Sequence, residues 1–131
     1  MIKKDDEILF DIKCSQALEE EIIRLGGRPI IWKTGHSLIK QKMKELGCKF
    51  GGEMSGHIFF ADDYFGYDDA IYAGIRLLDL IVRSNKTLSE LKEQLPKTCH
   101  TPEIRIPCSD SRKFGIVEAV YKILKKSKDV E

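Results

Sequence analysis

The sequence has no excess of charge of one sign and no long hydrophobic run. Its 131 residues include 22 Lys and Arg against 21 Asp and Glu, a formal net charge of +1. A nucleic-acid or membrane-surface binder normally shows a basic stripe, so this balance argues against both functions. No stretch approaches the roughly 20 apolar residues that span a bilayer, and the N-terminal segment MIKKDDEILF is too polar for a signal peptide. We therefore expect a cytoplasmic protein with no membrane and no nucleic-acid partner.

Cysteine pairs with metal-ligand spacing are also missing. Cys14, Cys48, Cys99 and Cys108 form no CxxC motif, and scattered thiols in a reducing compartment are most simply small buried or surface residues. Cys99, His100 and Cys108 fit no standard zinc spacing, and a fourth ligand is lacking. We expect no metal site in this chain.

Strand and helix patterns alternate along the first part of the chain. The segments EILFDIKCS and RPIIWK are short and apolar, which is typical of strands. Each is followed by a helical pattern of apolar residues. The first helix has Ser15 as its predicted N-cap and ends at Gly26; the second has Ser37 as its predicted N-cap and ends at Gly47.

Two extended segments, CKFGGEM and HIFFADD, and two further helices follow. The first of these helices begins at Asp68 or Asp69. Apolar residues cover more than one face of this helix, so we expect the helix to be largely buried. At the start of the second helix, Thr87 and Glu90 have capping-box spacing, and Pro96 marks its end.

This order of elements predicts an α/β fold. Short connections between parallel strands require crossover helices, so we expect a three-layer α/β/α domain with a mixed, mainly parallel sheet over residues 1–97. Residues 98–131 comprise a linker, one strand (EIRIPC) and one helix (SRKFGIVEAVYKILKK). Such a partial strand-helix unit cannot bury its apolar face alone. It either packs on the first domain or begins an incomplete second one.

A polar cluster, GGEMSGH, lies directly before an apolar segment. Glu53 can accept hydrogen bonds, Ser55 can donate or accept one, and His57 can carry a proton near neutral pH. Gly52 and its neighbours allow a ligand to approach the main chain closely. In a strand, the three polar side chains would project from one face, as in a sugar or polyol site. The alternative is a tight hairpin whose Glu and His are merely solvated, and the spacing alone does not decide between the two.

Two further candidates lie where strands end. Lys13 is at the C-terminal end of the first predicted strand and His36 is just after the second, the edge at which open α/β sheets bind ligands. Lys13 would supply a positive charge for a phosphate or a sugar oxygen. The alternatives are an ordinary solvated lysine and a helix-entry histidine bonded to the backbone.

The hexapeptide GEMSGH, taken with DIKCS, WKTGHSLIK, FGYDDAIYAGIRLL and TPEI, resembles the third domain of bacterial phosphomannomutases/phosphoglucomutases, members of the α-D-phosphohexomutase family. The motifs occur in the same order and cover almost the whole chain. The resemblance implies that the loop from Gly52 to His57 binds the sugar, with Glu53 and Ser55 contacting its hydroxyls. It implies that His57 is a candidate general acid or base close to the reacting oxygen.

The same resemblance implies that Lys13 and His36 reach the substrate from neighbouring loops. It implies that residues up to 97 form the third domain and that residues 98–131 open the fourth. The parent reaction would move a phosphoryl group between the 1- and 6-positions of a hexose phosphate through a phosphoserine and a bisphosphorylated sugar.

The family motifs for the catalytic serine, the magnesium loop and the phosphate grip belong to other domains and do not occur in this sequence. The resemblance thus implies Mg²⁺ and a glucose 1,6-bisphosphate-type activator in the full-length enzyme, both bound outside this chain. The partners of this chain would be a mannose or glucose phosphate and the remaining mutase domains. We expect the isolated chain to be inactive.

Two alternatives stay open. In the first, the chain would be a free-standing sugar-phosphate-binding or interaction module whose exposed former domain interfaces are covered by self-association. In the second, it would be part of a phosphoglucosamine mutase. Phosphoglucosamine mutases resemble this pattern with a different residue at the place of Met54, so Met54 favours mannose and glucose phosphates.

Overall fold

The computed structural model describes residues 3–99, 101–102 and 104–126. It divides into two compact units, of which the first ends at Thr98 and the second begins at Cys99. The elements, in chain order, are β1 (Glu7–Asp11), α1 (Gln16–Arg24), β2 (Arg28–Trp32), α2 (His36–Leu46), β3 (Phe50–Gly52), β4 (Ile58–Phe60), α3 (Ala70–Ser84), α4 (Leu88–Glu93) and α5 (Asp110–Leu124).

The first unit is built on one open sheet with the strand order β2-β1-β3-β4. β1 runs parallel to both β2 and β3, because α1 and α2 return the chain to the same starting edge. β4 is antiparallel to β3 and follows it through a short hairpin. The mixed, mainly parallel sheet predicted from the sequence is confirmed.

Apolar side chains form a core on each face of this sheet. Leu9 of β1 packs with residues of α2 on one face, and Ile8 and Phe10 pack with Ile22 of α1 on the other. Successive residues of a strand point to opposite faces, so β1 contributes to both cores. The predicted three-layer α/β/α arrangement is therefore also confirmed.

Side chains cap three of the helices as the sequence predicts. The Ser15 hydroxyl accepts a hydrogen bond from the N–H of Ala17 at the start of α1. Asp69 caps α3, and Thr87 and Glu90 form a complete capping box at α4. Each cap satisfies a backbone donor that has no partner inside its helix.

The predicted cap of α2 is wrong. Ser37 lies inside this helix, which begins at His36 with Gly35 as the N-cap residue. The Gly35 backbone has φ 135°, a conformation that favours glycine. Its N–H donates to the carboxylate of Glu53, which is 18 residues away in sequence.

The prediction that α3 is largely buried is also wrong. None of its residues is buried, and Ile71 and Val82 are 78% and 77% exposed. Within the first unit the helix packs against β4, where the ring of Tyr72 meets Phe60 edge-on with centroids 5.5 Å apart. One sheet strand can cover only one side of a helix that is apolar on several sides.

The second unit contains the predicted helix but not the predicted strand. α5 is present, and Phe114 and Val117 on it are 77% and 67% exposed. The described part of the EIRIPC segment, residues 104–108, forms no strand. A strand exists only where it can pair with another extended segment, and none does so among the described residues of this unit. His100, considered above as a zinc ligand, lies outside the described residues.

Among the residues that the structure describes, none of the helices combines the length and the apolar character that a membrane crossing requires.

The structure predicts opposite effects for alanine at two glycines. A Cβ at Gly51 in β3 would lie 2.7 Å from Sδ of Met43 and 3.1 Å from the carbonyl oxygen of Leu9, whereas one at Gly74 in α3 would meet nothing within 4 Å. We expect Gly51→Ala to lower the free energy of unfolding by about 1–3 kcal/mol through overpacking. Gly74→Ala should raise it by about 0.5–1 kcal/mol because alanine is the better helix former. Urea unfolding of the two variants measures both effects, and a Gly51→Ala variant as stable as the parent contradicts the packing described here.

Candidate functional site

The sequence candidates lie on loops at one edge of the sheet. β1 and β2 end at Asp11 and Trp32; Lys13 lies on the turn after β1, and His36 begins α2 just after the turn that follows β2. β3 runs parallel to β1 and leads into the loop of residues 53–57. Loops that follow parallel strands gather at the carboxyl edge of an open α/β sheet, where such folds bind ligands.

The loop of residues 53–57 is a hairpin turn, not a strand. The N–H of Glu53 donates to the carbonyl oxygen of His57, and the N–H of Gly56 donates to that of Glu53, each at 2.9 Å. Gly56 has φ 96°, which a residue with a side chain rarely adopts. The prediction that Glu53, Ser55 and His57 project from one strand face is therefore wrong. The chain has to reverse direction here, because β3 and β4 are antiparallel neighbours.

Glu53 differs from a solvated hairpin glutamate. It is only 7% exposed, and its Oε1 accepts the N–H of Gly35 at 2.5 Å. The carboxylate thus lies at the N-terminus of α2, where the helix dipole favours negative charge. A carboxylate can accept about four hydrogen bonds, so this contact leaves acceptor capacity for a ligand hydroxyl.

Two histidines meet beside this carboxylate. The ring centroids of His36 and His57 lie 5.9 Å apart, with the ring planes at 43°. Nδ1 of His57 lies 2.6 Å from Oδ2 of Asp68, a residue of the segment that precedes α3. The site therefore includes an imidazole with a carboxylate partner, the usual equipment for moving a proton.

Asp11 connects the loops of the site. It is fully buried, at 0% exposed, at the end of β1. Its Oδ1 accepts hydrogen bonds from Sγ of Cys14 and the N–H of Met54, each at 3.1 Å, and its Oδ2 accepts one from the hydroxyl of Thr34 at 3.0 Å. One carboxylate thus joins the turn that carries Lys13, the turn that precedes His36, and the hairpin.

Hydrogen bonding keeps the Asp11 carboxylate charged. Burial raises the pKa of Asp11. The hydrogen bonds from Cys14, Met54 and Thr34 and the charge of Lys13 lower it by more than burial raises it, so the pKa is below its ordinary value. Burial and the bond to Asp11 raise the pKa of the Cys14 thiol to about 11. Cys14 is therefore a protonated donor at neutral pH and not a nucleophile.

Comparison with known proteins identifies the family. The family model "Phosphoglucomutase/phosphomannomutase, alpha/beta/alpha domain III" matches residues 1–99. The chain belongs to this family. The resemblance noted in the sequence is thereby confirmed.

Individual phosphoglucomutase/phosphomannomutase relatives agree with this assignment. The chain is 48% identical over 116 residues to the phosphomannomutase/phosphoglucomutase of Pseudomonas syringae pv. tomato, a match that covers 88% of this chain and 25% of the relative. It is 45% identical over 100 residues to a phosphoglucomutase of Neisseria gonorrhoeae, covering 76% and 22%. The chain thus spans about a quarter of the length of the curated relatives it matches.

A solved structure of the same family shows the same fold. The crystal structure of a phosphoglucomutase/phosphomannomutase family protein from Burkholderia thailandensis matches with a TM-score of 0.70 and 42% identity. The match covers 76% of this chain and 21% of that one.

In this phosphoglucomutase/phosphomannomutase domain, the structure brings some of the predicted site residues together. Glu53, His57 and His36 form one group through the contacts described above. Ser55 and Lys13 are exposed on the hairpin and on the β1–α1 turn. A Cβ at Gly52 would lie 3.6 Å from the carbonyl oxygen of His57, an ordinary contact, so packing alone does not require glycine at this position.

Sequence reasoning missed two carboxylates of the domain. Asp11 ends an apolar strand at its carboxyl edge, and a buried acid in that position is a usable signal. Asp68 was considered only as a helix cap, a role that Asp69 fills. Among the residues that the structure describes, no three His, Cys, Asp or Glu side chains are placed to hold a metal ion.

Proposed function

We propose that this chain is the sugar-recognising part of a hexose-phosphate mutase. The parent enzyme would interconvert hexose 1-phosphate and hexose 6-phosphate through a phosphoserine and a bisphosphorylated sugar. The observation that carries the proposal is the buried carboxylate of Glu53, held by the N–H of Gly35 beside two histidines. The names of the relatives, phosphomannomutase and phosphoglucomutase, support the reaction class.

The hairpin offers the groups that a sugar ring needs. Glu53 would accept hydrogen bonds from ring hydroxyls, and the exposed Ser55 would donate or accept another. His57 would take a proton from the attacking hydroxyl or give one to the leaving oxygen. Lys13, exposed on the adjacent turn, would place a positive charge near a phosphate or sugar oxygen. Contacts to hydroxyls rather than to phosphate would let the ring bind in either orientation.

The remaining parts of the reaction would be supplied from outside this chain. Phosphoryl transfer depends on a metal and on fixed positive groups around the moving phosphate. Among the described residues, no three His, Cys, Asp or Glu side chains are placed to hold a metal ion. On the family resemblance we assign Mg²⁺, the phosphorylated serine and a glucose 1,6-bisphosphate-type activator to other domains, and we expect the isolated chain to be inactive.

Exposed apolar side chains support a fragment over a free-standing module. On α3, Ile71, Ile75, Leu78 and Val82 are all more than half exposed, and monomeric proteins rarely leave such large apolar patches bare. The remaining mutase domains are the partners that would cover them, and residues 98–131 would open the fourth domain. Self-association is the corresponding alternative for the isolated chain. Met54, whose side chain is 53% exposed beside Glu53, favours mannose and glucose phosphates over an amino sugar.

Titration with sugar phosphates tests the proposal. Mannose 1-phosphate and glucose 1-phosphate at millimolar concentration should shift the backbone amide signals of residues 52–57 and those near Lys13 and His36. Ser55→Ala removes one exposed hydroxyl and should weaken binding roughly two- to tenfold, the value of one hydrogen bond. Glu53→Gln keeps an acceptor for Gly35 while it removes the charge, and should weaken binding further.

Ser89→Ala, an exposed serine in α4, is the matched control and should bind as the parent does. Absence of shifts in the hairpin at millimolar ligand, or equal weakening by Ser89→Ala, contradicts the proposed sugar site. The same samples should show no mutase turnover, and measurable turnover would overturn the assignment of nucleophile and metal to other domains.

A further inference from the structure

We propose that Asp68 is a positioning residue that fixes the tautomer of His57, so that Nε2 is the atom that exchanges protons with the substrate. The starting point is the 2.6 Å separation of Nδ1 of His57 and Oδ2 of Asp68. An ionised carboxylate can only accept hydrogen bonds, so Nδ1 has to carry the hydrogen. In the neutral imidazole, the lone pair is then on Nε2.

The fold holds Asp68 in place from two sides. Its backbone forms an antiparallel bridge with Phe59, a residue of β4 that is 0% exposed. The next residue, Asp69, caps α3 by accepting the N–H of Tyr72 at 2.9 Å, and it also accepts the hydroxyl of Tyr64 at 2.7 Å. The backbone that carries the Asp68 carboxylate is therefore anchored on both sides of this residue.

The two adjacent aspartates thus have different roles. Asp69 is used by the helix, through its contacts with Tyr72 and Tyr64. Asp68 is 30% exposed, and the contact that its side chain makes is with His57, which is 44% exposed. Asp69 therefore serves as the cap of α3, and Asp68 orients the imidazole of His57.

The other charged or titratable groups near His57 come from two elements. His36 faces it from the first turn of α2, and Glu53 lies in the same hairpin, with its backbone N–H bonded to the His57 carbonyl oxygen. The carboxylate of Glu53 accepts the N–H of Gly35, and among the described residues the acid hydrogen-bonded to the His57 ring is Asp68.

The chemical consequence rests on the proposed function. When a sugar hydroxyl attacks a phosphoryl group, its O–H bond breaks and the proton passes to Nε2 of His57. The imidazole becomes a cation, and the Asp68 carboxylate, which accepts from Nδ1–H throughout, stabilises that charge. In the reverse step, Nε2 returns the proton to the departing oxygen, and the ring is neutral again. Asp68 exchanges no proton in either direction.

The tautomer of His57 can be observed without substrate. In the full 131-residue chain labelled with ¹⁵N, two-bond ¹H–¹⁵N spectra of the imidazoles at mildly alkaline pH distinguish a protonated Nδ1 from a protonated Nε2. The parent protein should show His57 with the hydrogen on Nδ1. Asp68→Ala removes the acceptor, and the Nδ1–H form should no longer predominate. Asp63→Ala, an exposed acid of the same loop, is the matched control and should leave the parent tautomer unchanged.

The outcomes separate this proposal from the proposed function. A parent protein with the hydrogen on Nε2, or an Asp68→Ala variant that keeps the parent tautomer, would overturn the role of Asp68 and leave the sugar titration unaffected. A protein with the expected tautomer that fails to bind either sugar phosphate would overturn the sugar site but not the His57–Asp68 contact. Amide spectra of each variant establish that the fold is retained.

Discussion

Replacing Asp11 by alanine is expected to lower the free energy of unfolding by about 3–5 kcal/mol. Asp11 is fully buried, and its carboxylate accepts from the thiol of Cys14, the hydroxyl of Thr34 and the backbone N–H of Met54. Without it, these donors lose their acceptor in a partly or fully buried setting. Urea unfolding at neutral pH measures the loss.

The same substitution should perturb every loop of the site. We expect Asp11→Ala to move the amide signals of the turns around Cys14 and Thr34 together with those of the hairpin, whereas a surface acid should affect only its neighbours. Asp63→Ala, exposed and in a different loop, is the control and should unfold close to the parent midpoint. Equal stability of the two variants would show that Asp11 is not the connection described here.

The effect of Asp11 should depend on pH in a defined direction. Burial opposes its charge, but the hydrogen bonds from Cys14, Met54 and Thr34 outweigh burial, so the pKa in the folded protein is below the unfolded value. The stability contributed by ionisation is complete above the unfolded carboxyl pKa of about 3.9 and is lost as pH falls through the lower folded pKa. The difference between the parent and Asp11→Ala should therefore narrow as pH falls below about 4.

Replacing Phe59 by alanine is expected to cost about 3–5 kcal/mol of unfolding free energy, the usual range for a buried phenylalanine. Phe59 is 0% exposed and packs in the core between β1 and α2, with Leu9 and Ile39. Truncation loses its buried apolar surface and leaves a cavity that the surrounding side chains fill only partly. Chemical denaturation of the variant gives the magnitude.

Phe65→Ala is the matched control for this core substitution. Phe65 is 75% exposed and stacks on Tyr67 with ring centroids 5.4 Å apart, so its loss should cost less than about 1 kcal/mol. If the two phenylalanine variants unfold at the same denaturant concentration, the core assigned to Phe59 is wrong.

Local signals in the sequence were sufficient for most of the sheet and helices. The short apolar run around Leu9 and the cap residues Ser15 and Thr87 act over a few residues, so they can be interpreted without the fold. The parallel order of β1, β2 and β3 then follows from the intervening helices. These predictions are confirmed because each depends on near neighbours.

The errors arise where partners are distant in sequence. Glu53 accepts the N–H of Gly35, the N-cap residue of α2, from 18 residues away, and no local signal indicates this contact. The bonds of Asp11 to Thr34 and Met54 span 23 and 43 residues, and no periodicity reveals them. The apolar faces of α3 show that the helix needs cover, but they do not show whether that cover belongs to the same chain.

The manner in which Met54 is held bears on how such a site can be re-engineered. Its backbone N–H, not its side chain, is bonded to Asp11, and its side chain is 53% exposed. Any residue except proline has this N–H, so position 54 can be varied while the hairpin keeps its shape. Under the proposed function, the backbone of residue 54 would hold the frame of the site while its side chain would bear on the choice of ligand, so a library at this position would sample specificity without sampling misfolded hairpins.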